Sequence, residues 1–227
     1  MGSSVVVAMD GPSGSGKSST ARGVAARLGL RYLDTGAMFR AITWWMLQHG
    51  IDVDDPAAVA TRVDEPVLDS GTEPLAPTIT LDGTDVAGPI RSQEVTSAVS
   101  SVSAVPEVRA RLLAMQRSII GDGGIVVEGR DIGTVVAPGA AVKVFLTAEA
   151  DARAVRRTAE MEGSTVEATQ QDLLRRDKAD SGRAASPLAM AADAHHIDTT
   201  PYTLDEVMAQ VVALVEQAED AVGPLEA

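Results

Sequence analysis

The segment Gly11-Pro12-Ser13-Gly14-Ser15-Gly16-Lys17-Ser18 fits G-x-x-x-x-G-K-S in full, and with its flanks it constrains the fold more than any other stretch. Before it, Val5 to Met9 is a continuous apolar, β-branched run, the pattern of a strand covered on both faces in a parallel sheet. After it, Ala21, Val24, Ala25 and Leu28 recur at i, i+3, i+4 and i+7, and Gly29 supplies a stop. Strand, glycine-rich loop and helix in that order make a phosphate cradle, because the loop turns its N–H groups inward and the helix start adds the positive end of its dipole. Lys17 then reaches the β- and γ-phosphates of a nucleoside triphosphate, and Ser18 ligates magnesium. The ATP-binding set is therefore Gly11, Pro12, Ser13, Gly14, Ser15, Gly16, Lys17, Ser18 and Ser19, with Ser18 also the metal ligand.

The rest of the chain repeats the alternation of strand and helix. Tyr32 to Asp34 reads as a short second strand, followed by a helix with Met38, Ile42, Trp45, Met46 and His49 on one face. Ile125 to Glu128 and Val142 to Leu146 read as buried strands, and His195 to Asp198 as the last one. Together these predict an α/β protein of the P-loop three-layer type with a five-stranded parallel sheet. Residues 63 to 90 break the pattern: Pro66, Gly71, Pro74 and Pro77 punctuate short runs, and Asp82-Gly83 between Thr78 to Leu81 and Thr84 to Val86 is a hairpin signal. A small antiparallel insertion is expected there. An Arg-rich helix between Thr147 and Arg157, and a second helix opened by the capping box Ser164-Thr165-Val166-Glu167 and running to about Lys178, form a polar helical hairpin. Thr203-Leu204-Asp205-Glu206 opens a final helix in the same way.

With 227 residues, 45% hydrophobic, the chain can bury one substantial core but is short for two independent domains. Its net charge of −13 offers no overall attraction to nucleic acid or to an anionic membrane. There is no Cys, hence no disulfide and no thiolate metal site. No apolar run approaches the roughly 20 residues a spanning helix needs, and the N-terminal run from Val5 reads as a strand and not a signal peptide, so a cytoplasmic protein is expected.

A phosphate cradle alone does not name a reaction, since hydrolytic switches, motors and small-molecule kinases share it. A guanine-specific switch carries an Asn-Lys-x-Asp element, and the sequence contains no Asn. Transfer between two phosphates requires cations to offset two anions. Arg40 and Arg130 are placed for that, the first on the second βα unit and the second just past the carboxyl end of the strand Ile125 to Glu128, where open α/β sheets bind ligands.

The segments Asp34-Thr35-Gly36-Ala37-Met38-Phe39-Arg40, Ile90-Arg91-Ser92-Gln93-Glu94-Val95, Glu128-Gly129-Arg130-Asp131-Ile132-Gly133-Thr134-Val135-Val136 and Arg176-Asp177-Lys178-Ala179-Asp180-Ser181-Gly182-Arg183 resemble those of bacterial cytidylate kinases, in order across almost the whole chain. The resemblance implies transfer of a phosphoryl group from ATP, with Mg2+, to CMP or dCMP by a monomer, while the charge and the short apolar runs point to neither nucleic acid nor membrane as partner. It implies one nucleoside monophosphate kinase domain with a core (about 1–36, 104–149 and 184–227), an acceptor-binding region with its insertion (about 37–103) and a lid (about 150–183). Carried over position by position, Thr35, Gly36, Phe39, Arg40, Ser100, Arg109, Arg130, Asp131, Asp180 and Arg183 would bind CMP. Arg40, Arg130 and Arg183 would hold its phosphate; Ser100, Arg109 and Asp131 would read its base; Arg176 and Asp180 would contact the sugar. Arg157 and Arg176 would close over the transferring group, making Lys17, Arg130, Arg157 and Arg176 the catalytic set. The base chemistry agrees: a carboxylate such as Asp131 can accept from the cytosine N4 amine while Arg109 donates to O2 and N3, a pattern uracil reverses.

The sequence departs from its relatives at Phe39, where they usually carry Tyr, at Thr35 for a common Ser, and at Ala179 and Ser181, often basic positions. Asp10, just before the cradle, either influences magnesium or caps a turn, and stands outside the metal set. His195 and His196, adjacent in a strand, point to opposite faces and cannot share an ion. Two other readings stay open: a kinase for another small acceptor such as UMP, AMP or a hydroxyl-bearing metabolite, and a non-catalytic ATP sensor, which would have no second anion site.

Overall fold

A computed structural model of the chain describes residues 4–159, 165–183 and 185–222. The chain divides into two compact units, one formed by Met1–Tyr32 with Asp122–Ala227 and the other by Leu33–Gly121.

The first unit is organised by the sheet. Strands β1 (Val6–Asp10), β2 (Arg31–Asp34), β6 (Ile125–Gly129), β7 (Val142–Thr147) and β8 (His195–Asp198) lie in the order β2-β6-β1-β7-β8. The central pairings are parallel: Asp10 lies opposite Gly129 on β6 and Phe145 on β7, which aligns the strand ends. The apolar β-branched runs do what their composition demands, with every residue of β6 buried. Helix α1 (Lys17–Leu28) and helix α8 (Leu204–Val222) bring Val24 and Ala25, and Val207, Val211 and Val215, into the core with Val7, Met9, Val144 and Leu146. The capping box at Thr203 forms as expected, the Glu206 carboxylate accepting from the Thr203 N–H at 2.8 Å.

The α6 (Ala150–Ala159) and α7 (Val166–Gly182) hairpin differs from expectation in two ways. Ser164 lies outside the described residues, and the cap of α7 is Thr165, whose hydroxyl accepts from the Ala168 N–H. The helix also runs on past Lys178 to Gly182, because Ala179, Asp180 and Ser181 contain nothing that breaks it. Arg176 and Asp180 thereby stand one turn apart on the same helix face.

In the second unit, α2 (Thr35–Gln48) is capped by the Asp34 side chain, and α3 (Pro56–Arg62) by Asp55 with Pro56 in the first position. Residues 63 to 90 hold the expected antiparallel sheet, β3 (Leu68–Ser70), β4 (Ile79–Leu81) and β5 (Thr84–Asp85), in that order. Asp82 and Gly83 both take positive φ, 50° and 78°, the geometry of a tight hairpin turn. Helices α4 (Gln93–Ala104) and α5 (Pro106–Ile120) complete it. Trp45 is buried, and His49 is exposed and stacks on it at 3.9 Å. His195 and His196 are both exposed on β8, the latter bonded to Thr147. Among the described residues no helix is long and apolar enough to cross a membrane.

Candidate active site

The cradle is fixed mainly by backbone geometry. Gly11 has φ 146° and passes so close to β7 that a Cβ there would stand 2.0 Å from the Leu146 carbonyl oxygen. Gly16 caps α1 in the left-handed conformation, φ 88°, with open space where its Cβ would be. Only glycine meets the first requirement, and glycine meets the second without strain. Lys17 is buried, and its ammonium donates to the Pro12 carbonyl at 2.7 Å, so the side chain curls back over the loop.

Ser18 Oγ donates to Glu128 Oε2 at 3.0 Å, and Glu128 Oε1 accepts from the Tyr32 hydroxyl. Glu128 is 3% exposed at the end of β6. Sequence reasoning named Ser18 alone for the metal; Glu128 was visible as the last residue of an apolar run, an acid where the sheet's strands end. Magnesium takes oxygen ligands and keeps several waters, relying on one or two protein groups plus substrate phosphates. The Ser18 hydroxyl and Glu128 carboxylate fit that demand, and among the described residues no cluster of three or more acids or histidines offers another site.

Around the cradle the α6/α7 hairpin is laced down by arginines. Arg153 donates to the Ser13 carbonyl at 3.1 Å and to Asp177 at 2.5 Å, joining both helices to the loop. Arg156 donates to the Thr199 hydroxyl at 2.8 Å, which in turn donates to the Ser15 carbonyl at 3.1 Å. Neither Arg153, Arg156 nor Thr199 was singled out in the sequence; Arg153 and Arg156 belong to the Arg-rich helix, and Thr199 gave no signal. Arg176 is 9% exposed, touches Ser13 Oγ at 3.4 Å, and has no hydrogen-bond partner at Nε. Burial pulls its guanidinium down to about 10, with repulsion from Arg130 and Arg157 adding to the effect and Asp180 and Asp177 opposing it. Arg130, Arg157 and Arg176 thus stand within electrostatic range of one another. Asp180 is the pivot of this group, accepting from Arg130 Nε at 2.9 Å, with Arg183 Nη1 at 3.9 Å.

A cavity of about 470 Å³ opens beside the loop, lined by Gly14, Ser15, Gly16 and Ser19, by Arg157, and on its apolar side by Tyr202, Leu204 and Val207. Asp131 follows β6 at the start of a single π-turn, Ile132–Val136, and is buried.

The second unit gathers the remaining residues. Thr35, Gly36, Phe39 and Arg40 occupy the first turns of α2. Arg40 Nη1 donates to Thr96 Oγ1 at 3.1 Å. The Arg109 guanidinium lies over the Phe39 ring at 5.3 Å and donates to the Ser103 carbonyl at 3.2 Å. Ser100 stands one turn earlier on α4, its carbonyl accepting from Ser103 Oγ. Phe39 thus contributes a ring face that braces the Arg109 guanidinium, a contact its missing hydroxyl does not affect.

The cytidylate kinase family profile matches residues 7–217. The chain belongs to the cytidylate kinase family. A cytidylate kinase of Streptomyces griseus is 62% identical over 216 residues, covering 94% of each chain. One of Nocardia farcinica is 54% identical over 218 residues, with 94% of each covered. Among solved structures, an uncharacterized protein of Eubacterium ventriosum aligns over 95% of this chain and 99% of its own with a TM-score of 0.53 at 12% identity, a likeness of fold alone.

Proposed function

We propose that the chain transfers the γ-phosphoryl group of ATP to CMP, and to dCMP, giving ADP and CDP or dCDP. The observation that carries the proposal is the cradle with its cluster of buried and half-buried arginines, Arg130, Arg157 and Arg176, within a member of this family. The cavity beside the loop suits the adenosine of ATP, its apolar wall of Tyr202, Leu204 and Val207 meeting the base. Gly11 to Ser18 take the phosphates, and Lys17 swings from the Pro12 carbonyl to the β- and γ-oxygens. Ser18 and Glu128 hold magnesium, which when bound neutralises charge on the β- and γ-phosphates.

A phosphate oxygen of CMP attacks the γ-phosphorus, and the bond to the β–γ bridging oxygen breaks, leaving ADP. The acceptor is already an anion, so no general base is required; positioning and charge stabilisation do the work. Arg40, Arg130 and Arg183 hold the acceptor phosphate, Thr35, Gly36 and Phe39 frame it, and Arg176 with Asp180 contacts the sugar. Ser100, Arg109 and Asp131 read the base. Residues 150–183 act as a lid, 37–103 as the acceptor-binding region, and the remainder as core. The enzyme works as a cytoplasmic monomer.

The test is ATP-dependent diphosphate formation with CMP, dCMP, UMP, AMP and shikimate as separate acceptors at saturating magnesium. Preference for CMP and dCMP is expected. Activity on none, beyond slow ATP hydrolysis, would leave only a nucleotide sensor.

A further inference from the structure

The most buried acid beside the cradle has no part in the chemistry above. Asp10, the last residue of β1, is 4% exposed. Its Oδ1 accepts from the Ile132 N–H at 2.8 Å and its Oδ2 from the Gly133 N–H at 2.7 Å, groups 122 and 123 residues away in sequence. Those are the first two amides of the π-turn Ile132–Val136. A helical turn leaves its first N–H groups without intrahelical partners, and the residue in the N-cap position ordinarily satisfies one with its own side chain. Asp131 occupies that position, with φ −142° and ψ 25°, and is the residue type best suited to it, yet it makes no side-chain cap bond. The cap comes instead from another strand.

We infer that Asp10 is a positioning residue for acceptor recognition: it caps the turn after β6 in place of Asp131, holding that backbone still and relieving the Asp131 carboxylate of the capping role. This rests on the reading that Asp131 faces the cytosine. Each oxygen of Asp10 is directed at an amide, the geometry of a cap. Charge-assisted bonds of this length are the stronger kind, and burial pushes the Asp10 carboxyl up to about 6 against them, with Asp131 raising it further and Lys17 lowering it. Lys143 of β7 closes the surroundings: a Cβ on Gly133 would lie 3.3 Å from its Cδ and 3.4 Å from Asp10 Oδ2.

Asp10→Asn keeps the shape but can accept through one oxygen only, presenting an NH2 to the other amide. KM for CMP should rise by about tenfold or more, and the preference for CMP over UMP should fall to that of Asp131→Asn. Affinity for a fluorescent ATP analogue and the magnesium dependence should stay within about twofold, and the double variant should be no worse toward CMP than Asp131→Asn alone. An unchanged CMP/UMP preference, additive losses in the double variant, or equal loss of donor and acceptor binding would each overturn the assignment. Wild-type protein inactive on CMP would remove the functional reading as well, which distinguishes the two failures. Should Asp10→Asn not fold, the amide protons of Ile132 and Gly133 in the wild-type protein carry the test. The two resonances should move together, with one midpoint near 6; separate midpoints, or none, overturn it.

Discussion

The phosphate cradle and the α6/α7 hairpin are joined through Arg153, but they are built from different material. In the cradle, what matters is backbone: a positive φ at Gly11 and Gly16 and the near contact of Gly11 with the Leu146 carbonyl. In the hairpin, what matters is the ends of long side chains held by carboxylates, hydroxyls and carbonyls, as with Arg153 on Asp177 and Ser13. Backbone positions cannot yield without moving a strand, whereas a guanidinium can exchange one partner for another. The difference teaches that, under the proposed function, the first region would set where the phosphates go and the second could follow them.

Substitutions can break this comparison. The largest loss should come from Gly11→Ala, whose Cβ would meet a backbone oxygen at 2.0 Å. ATP affinity should fall more than about hundredfold, the equivalent of about 3 kcal/mol, while Gly16→Ala, strained in φ but unobstructed, should lose about tenfold. Equal losses at both glycines, by titration with a fluorescent ATP analogue, would show that the contact with β7 is irrelevant. Next comes Arg176→Met, for which kcat should drop on the order of 10²-fold with ATP affinity changed only about threefold. A variant that loses ATP binding and turnover together would mean that the hairpin, too, is part of the fixed cradle.

A change of condition instead of sequence tests the strand end itself. The Asp10 carboxyl is raised from 3.8 to about 6 chiefly by burial. Its folded-state value lies above the unfolded one, so the folded protein holds the proton longer and Asp10 stabilises fully only below about pH 4. That contribution is lost as pH rises through about 6, a change of about 3 kcal/mol at 1.36 kcal/mol per unit. Urea unfolding from pH 4 to 7 should therefore show the stability difference between wild type and Asp10→Asn moving toward the variant as pH rises. A constant difference would mean that Asp10 is not the group that titrates.

How legible each part was follows from how local its causes are. The cradle could be read because eight consecutive residues and their flanks carry it. The hairpin turn at Asp82-Gly83 and the Thr203 box were equally readable, since each is settled within four residues. The extension of α7 to Gly182 was not, because the helix has no sequence stop there and ends in the weakly signalled Ser181-Gly182. Glu128 looked like the polar end of a buried strand until Ser18 and Tyr32 were found on its two oxygens. The cap that Asp10 provides was least legible of all: its partners are backbone amides, whose identity no side-chain pattern reveals, and they lie 122 and 123 residues away.

That cap has a consequence for anyone who would exchange this segment between proteins. The stretch from Arg130 to Val136 looks self-contained and portable, yet its conformation is underwritten by a residue on β1. A graft of the turn into a scaffold lacking an acid at the corresponding strand end would carry the letters of the segment without its shape. The unit of design is the turn together with position 10.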